Sequence, residues 1–172
     1  MALVAGTVPV AAASGTASAA PSCEITWGSQ EKSRATAVEG PITGVRSGRH
    51  TCFDRLVIDL RGTAPGSTVK YVNTFTGQGS GLPIPLRGGA KLSVLVHAPA
   101  YNPDGTASYA PKNLTEVVNV TGYRTFRQVR WDSSFEGDTQ LGIGVRARLP
   151  FRVFTLQAAT TSRLVIDVAH RW

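Results

Sequence analysis

Arg55-Leu56-Val57-Ile58-Asp59-Leu60 returns later in the chain as Arg163-Leu164-Val165-Ile166-Asp167-Val168, with five identical residues in a row and a sixth apolar position. Both copies are rich in β-branched residues and begin with a charge, the composition of a sheet strand. With a side-chain period of two, Leu56, Ile58 and Leu60 fall on one face, while Arg55, Val57, Asp59 and Arg61 fall on the other. The second copy divides the same way, Leu164, Ile166 and Val168 against Arg163, Val165 and Asp167. Each copy is expected to bury an aliphatic face and to display an Arg, an aliphatic and an Asp on the other. Charges on the outside of a core strand are ordinarily just solvated, but the same row doubled can form a recognition surface. If the copies lie side by side and antiparallel, Val57 faces Val165, Arg55 meets Asp167 and Asp59 meets Arg163.

The 172 residues, 42% of them hydrophobic, suit a single domain with its own core. The first 22 residues carry no charge and close on Ala17-Ser18-Ala19-Ala20-Pro21. This reads as a signal peptide over 1–19 that lacks its basic n-region, either because the true start lies upstream or because the leader is truncated, with cleavage after Ala19. The stretch holds few Leu or Ile and contains Pro9, which argues against a membrane helix. The remaining chain is expected to divide into a segment 20–49 tied by a disulfide and a β-sandwich over 50–172, with no transmembrane segment.

Eighteen Lys and Arg against eleven Asp and Glu give a formal charge of +7. Outside the cytoplasm such an excess points to a wall polymer or a lipid headgroup surface, and nucleic acid is not an expected partner of an exported protein. Cys23 and Cys52 are the two cysteines, and an oxidising compartment favours a disulfide between them. Lipidation of Cys23 is the competing reading, but Ala20-Pro21-Ser22 lacks the aliphatic residue three before the cysteine. Two Cys and three scattered His give no basis for a zinc site, and no metal or cofactor is expected.

Strands are expected at Glu24 to Trp27, His50 to Arg61, Ser67 to Phe75 as a hairpin partner of the first repeat, and Ala90 to Ala98. Others follow at Glu116 to Trp131 as two pieces broken near Gly122, Leu141 to Arg148, Phe151 to Leu156 and Arg163 to Ala169. Residues 29–49, Gly77 to Pro85 and Pro99 to Lys112 read as loops from their Gly and Pro, and Phe135-Glu136-Gly137-Asp138 reads as a turn. Eight or nine short strand candidates without a helical period make an all-β sandwich, with internal pseudo-symmetry from the repeat. On Leu141 to Arg148, Gly142, Gly144, Arg146 and Arg148 share a face where bare backbone beside positive charge would admit a flat ligand. Arg124, Arg127 and Arg130, interleaved with Tyr123, Phe126 and Trp131, fit either a polyanion binder or a half-buried strand with solvated arginines.

Catalysis is not expected. G-x-S-x-G, H-E-x-x-H and a catalytic Cys pattern do not occur, and Glu136 and Asp138 shape a Gly-flanked turn. His50, His97 and His170 stand far apart in sequence, and His50 reads as a neighbour of the disulfide.

Cys23 with Trp27-Gly28, His50-Thr51-Cys52-Phe53-Asp54-Arg55-Leu56-Val57, Phe135-Glu136-Gly137, Gly144-Val145-Arg146, Pro150-Phe151-Arg152-Val153 and the closing Arg163-Leu164-Val165-Ile166-Asp167 together resemble the AMIN-like domain of actinobacterial secreted proteins and lipoproteins. That domain is related to the AMIN module that targets cell-wall amidases. The resemblance implies a β-sandwich whose Arg-x-x-x-Asp strands expose polar faces, and an association with peptidoglycan or the envelope. The loops are longer than in an ordinary AMIN domain, and the 172 residues themselves include no amidase. The function expected is therefore a non-catalytic secreted envelope-binding module that takes peptidoglycan or an anionic wall glycopolymer through Arg55, Asp59, Arg163 and Asp167, helped by Arg146 and Arg148. A protein-interaction subunit of an envelope complex and a cryptic wall hydrolase are the alternatives.

Overall fold

The computed structural model describes residues 22–35 and 40–172. The expected signal peptide lies outside the described residues, as does part of segment 20–49. No helix occurs among the described residues; nine strands form two antiparallel sheets. The five-stranded sheet has the order β1 (Lys32–Arg34), β4 (Gly66–Val72), β5 (Ala90–His97), β7 (Asp138–Val145), β6 (Phe126–Phe135). The four-stranded sheet runs β2 (Ile42–Arg49), β3 (Phe53–Arg61), β9 (Thr161–Ala169), β8 (Phe151–Gln157).

The repeats are the central strands β3 and β9, and they pair in the expected register: Arg55 with Asp167, Val57 with Val165, Asp59 with Arg163. Leu56, Ile58, Leu164 and Ile166 from this sheet, with Leu92, Val94, Leu141 and Ile143 from the other, form the core and are at most 1% exposed. Each such Leu or Ile contributes about 1.5–3 kcal/mol on burial. At the β6–β7 hairpin, Glu136 and Gly137 take φ of 51° and 84°, the paired left-handed conformation that a two-residue turn between right-twisting strands requires.

Four expectations are corrected. Glu24 to Trp27 forms no strand; the Cys23–Cys52 disulfide, with Cα atoms 5.4 Å apart, ties its start to the chain just before β3. The expected loop over 29–49 contains β1 and the eight residues of β2, because pairing with β3 overrides the weak strand propensity of Gly44 and Gly48, with a bulge between Ile42 and Gly44. The strand after the first repeat is no hairpin partner of it: β4 crosses to the other sheet and pairs with β1 and β5. From Glu116 to Thr125 the chain is irregular, and one long strand, β6, begins at Phe126.

The glycine face of β7 is already occupied. A Cβ on Gly142 would press on Phe75 and Leu86, and one on Gly144 would overlap the Arg87 carbonyl. The loop between β4 and β5 therefore fills the space that bare backbone was expected to offer a flat ligand. Gly144→Ala is expected to cost about 1–3 kcal/mol, as over-packing does. Gly79→Ala, with nothing within 4 Å of the added methyl, is the control. Equal urea midpoints for the two variants would contradict the packing.

Candidate functional site

The outer face of β2-β3-β9-β8 carries two arginine–aspartate clusters, one at each end of the paired repeats. In the first, Asp167 accepts from Arg55 Nε at 2.6 Å and Nη2 at 2.8 Å, and from Arg152 Nε at 2.8 Å. Arg152 stands opposite Asp167 across the β8–β9 pair, so neighbouring strands bring both guanidinium groups onto one carboxylate. In the second, Asp59 accepts from Arg46 Nε at 2.8 Å and Nη2 at 3.1 Å and lies 3.5 Å from Arg163 Nε. Between the clusters Val57 and Val165 sit face to face and are buried.

The backbone explains the close pairing. His170 N donates to Cys52 O and Gly62 N to Thr160 O. That phase makes Arg55–Asp167, Val57–Val165 and Asp59–Arg163 non-hydrogen-bonded pairs, in which opposite side chains approach most closely. The second cluster repeats the first with one substitution of position. Gly44, which faces Asp59, has no side chain, so Arg46 reaches over diagonally from opposite Val57.

The two clusters differ in depth. The Asp167 side chain is wholly buried, with Arg55 24% and Arg152 40% exposed, whereas Asp59 is 29%, Arg46 55% and Arg163 54% exposed. The expectation that both repeats display their Val and Asp is thus corrected: Val57, Val165 and Asp167 are covered. An aromatic bed flanks the deeper cluster. The Arg152 guanidinium lies 4.4 Å from the Trp27 ring centre and 5.1 Å from that of Phe154, and Arg55 lies 5.1 Å from Phe53. Trp27 meets Phe53 edge-on at 5.7 Å. Such rings attract cations and hold guanidinium planes in place. Hydrogen bonding to Asp167 raises the pKa of Arg55, and hydrogen bonding to Asp59 raises that of Arg46, with desolvation opposing each. Four guanidinium groups thus stand against two carboxylates on the face.

Arg46 and Arg152 were missed in the sequence reading; the signal available was their place opposite or diagonal to the repeats. Arg146 and Arg148 stand elsewhere, in the segment after β7. Arg146 bonds the His170 carbonyl, while Arg148 bonds Ser29 Oγ and O at 3.2 Å and lies 4.9 Å from the Tyr71 ring centre. The basic-aromatic run also turns inward: Arg127 donates to the carbonyls of Tyr123, Arg124 and Phe126, and Arg130 to that of Pro85.

The histidines are separate, His50 stacked on Phe53, His97 bonded to Asp138 and His170 to Asp54. No group of three or more metal-ligating side chains occurs among the described residues. No helix there is long and apolar enough to cross a membrane.

Compared with known proteins, residues 40–170 match the family model described as the AMIN-like domain. No curated protein and no solved structure matches the chain.

Proposed function

Because the chain belongs to the AMIN-like domain family, we propose that it is an exported, non-catalytic cell-envelope module whose outer β2-β3-β9-β8 face binds peptidoglycan or an anionic polymer attached to it. The observation that carries the reading is the pair of Arg–Asp–Arg clusters, four guanidinium groups against two carboxylates on one sheet face. Guanidinium forks recognise carboxylate and phosphate in a plane with paired hydrogen bonds, and wall polymers offer both groups. Arg46 and Arg163, each more than half exposed, are the groups a ligand meets first, and Asp59 is the partner that a ligand anion would displace. Arg55 and Arg152, braced by Asp167 and the Trp27, Phe53 and Phe154 rings, present a fixed edge beside them. The disulfide fits export to an oxidising compartment.

The test is co-sedimentation with purified walls, intact or stripped of anionic polymer. The wild-type chain is expected in the pellet, and Arg46→Glu with Arg163→Glu is expected to weaken binding by about tenfold or more, since reversing a contact charge adds repulsion to the lost attraction. Loss of binding on stripping assigns the anionic polymer, and retention assigns peptidoglycan. Arg146→Glu with Arg148→Glu supplies the comparison: an equal loss there moves the contact to the segment after β7. Wild-type protein in the supernatant with and without wall sinks the proposal, and release of soluble muropeptides replaces it with a hydrolase.

A further inference from the structure

The four sheet edges are not equally closed. The edge of β2 is capped at its first residue, where Ile42 N donates to Pro99 O and Ser108 Oγ to Ile42 O, and further along Ser47 Oγ meets Tyr123 OH. That of β6 is covered by Leu114 and Val117, through Trp131 N to Leu114 O and Val117 N to Val129 O. At its outer edge the five-stranded sheet ends in β1, only three residues long. At the edge strand β8 the pairing with β9 sets the backbone phase. Ala169 N donates to Pro150 O and Ala158 N to Thr161 O, so the even-numbered residues of β8 turn their backbone groups toward β9. The odd-numbered ones point away: Phe151 N donates outward to Gly28 O, while the outward groups of Val153 and Thr155 meet no backbone partner among the described residues.

Beside this open run lies a cleft of about 320 Å³ between β8 and β1, lined by Lys32, Arg34, Ser67, Val153, Phe154 and Leu164. Its floor is the side of the apolar core. Its rim is cationic: Lys32 Nζ bonds the Gln30 carbonyl and Arg34 Nη1 bonds Thr155 Oγ1, and neither has a carboxylate partner among the described residues. We propose that the β8 edge at Val153–Thr155 is a docking site for an extended peptide of a partner protein, which adds a strand beside β8 and alternates apolar with acidic side chains.

Unpaired N–H and C=O groups repeating every second residue are complementary to a peptide backbone. A strand added there points alternate side chains into the cleft, where apolar groups fit, and the others along the outer face beside Arg152, Phe154 and Leu156. Acidic neighbours answer Arg152, Lys32 and Arg34. A second copy of this chain is the disfavoured occupant, because edge-to-edge pairing would set one cationic rim beside the other on molecules of net charge +7. Native sheets rarely leave an edge unguarded unless something covers it. This site is distinct from the arginine face and does not depend on the wall reading.

The experiment uses the full chain with a capped peptide alternating glutamate and valine, and a control with lysine in place of every glutamate. The acidic peptide is expected to slow amide exchange at Val153 and Thr155 and to bind about tenfold more tightly than the lysine control. Thr155→Pro removes an outward N–H at a position where an edge strand tolerates proline, and it is expected to weaken binding by about tenfold. Lys32→Glu with Arg34→Glu, which leaves the backbone untouched, is expected to reverse the preference toward the lysine peptide. Equal binding of both peptides, or unchanged exchange at Val153 and Thr155, overturns the proposal. Protection of these amides that grows with protein concentration and needs no peptide overturns it in favour of a second copy.

Discussion

Asp167→Ala is expected to lower the unfolding free energy by about 3 kcal/mol, while Asp59→Ala, in the same Arg-Leu-Val-Ile-Asp sequence, costs less than about 1 kcal/mol. The difference is one of depth. Asp167 is wholly buried and accepts three hydrogen bonds from two guanidinium groups; without it, Arg55 and Arg152 face each other with no counter-charge. Asp59 and its arginines are open to water, which screens them in both states. For a chain of this size the Asp167 variant is expected to melt about 6–12 °C lower. A second variant separates the lost pairing from mere loss of volume: Asp167→Leu made together with Arg55→Met and Arg152→Met is expected to recover most of the deficit, because no unpaired charge remains. Similar losses at Asp59 and Asp167 in urea titrations would contradict this account.

Opening the Cys23–Cys52 bridge, by reduction or as Cys23→Ser with Cys52→Ser, is expected to cost about 3–4 kcal/mol on the chain-entropy model for a loop with a sequence separation of 29. The effect is also local. The short segment behind Cys23 supplies Trp27 to the Arg152 guanidinium, Gly28 O to the Phe151 amide and Ser29 to Arg148. With the bridge open, Phe151 N–H is expected to exchange faster while amides in the centre of β7 keep the protection set by global unfolding. An unchanged urea midpoint together with unchanged Phe151 exchange would mean that this segment is held by its packing alone.

The repeated hexapeptide carried both the strand register and the location of the candidate face, because a period of two with five shared residues leaves little freedom once the copies are adjacent. It did not carry the depth of the two aspartates. Locally they are the same; what separates them is the residue opposite, Arg152 for Asp167 and Gly44 for Asp59, a fact about neighbouring strands. Arg46 escaped notice because β2 contains Gly44 and Gly48 and has weak strand character without its partner. The fate of β4 was equally illegible: its alternation shows a strand, and only the assembled core shows which sheet takes it. Gly142 and Gly144 correctly signalled a close approach, and the approaching body was the chain's own loop.

The unequal burial of the two clusters gives the candidate face a head and a tail. At one end the guanidinium groups are already oriented before any guest arrives; at the other they must let go of Asp59 first. Under the proposed function, a polymer laid across the sheet would meet a rigid anvil on one side and a yielding clasp on the other. Turned end for end, such a polymer would find the same order of charges but a different reluctance to exchange them, and the proposed surface would then sense direction along a strand whose own repeat is monotonous.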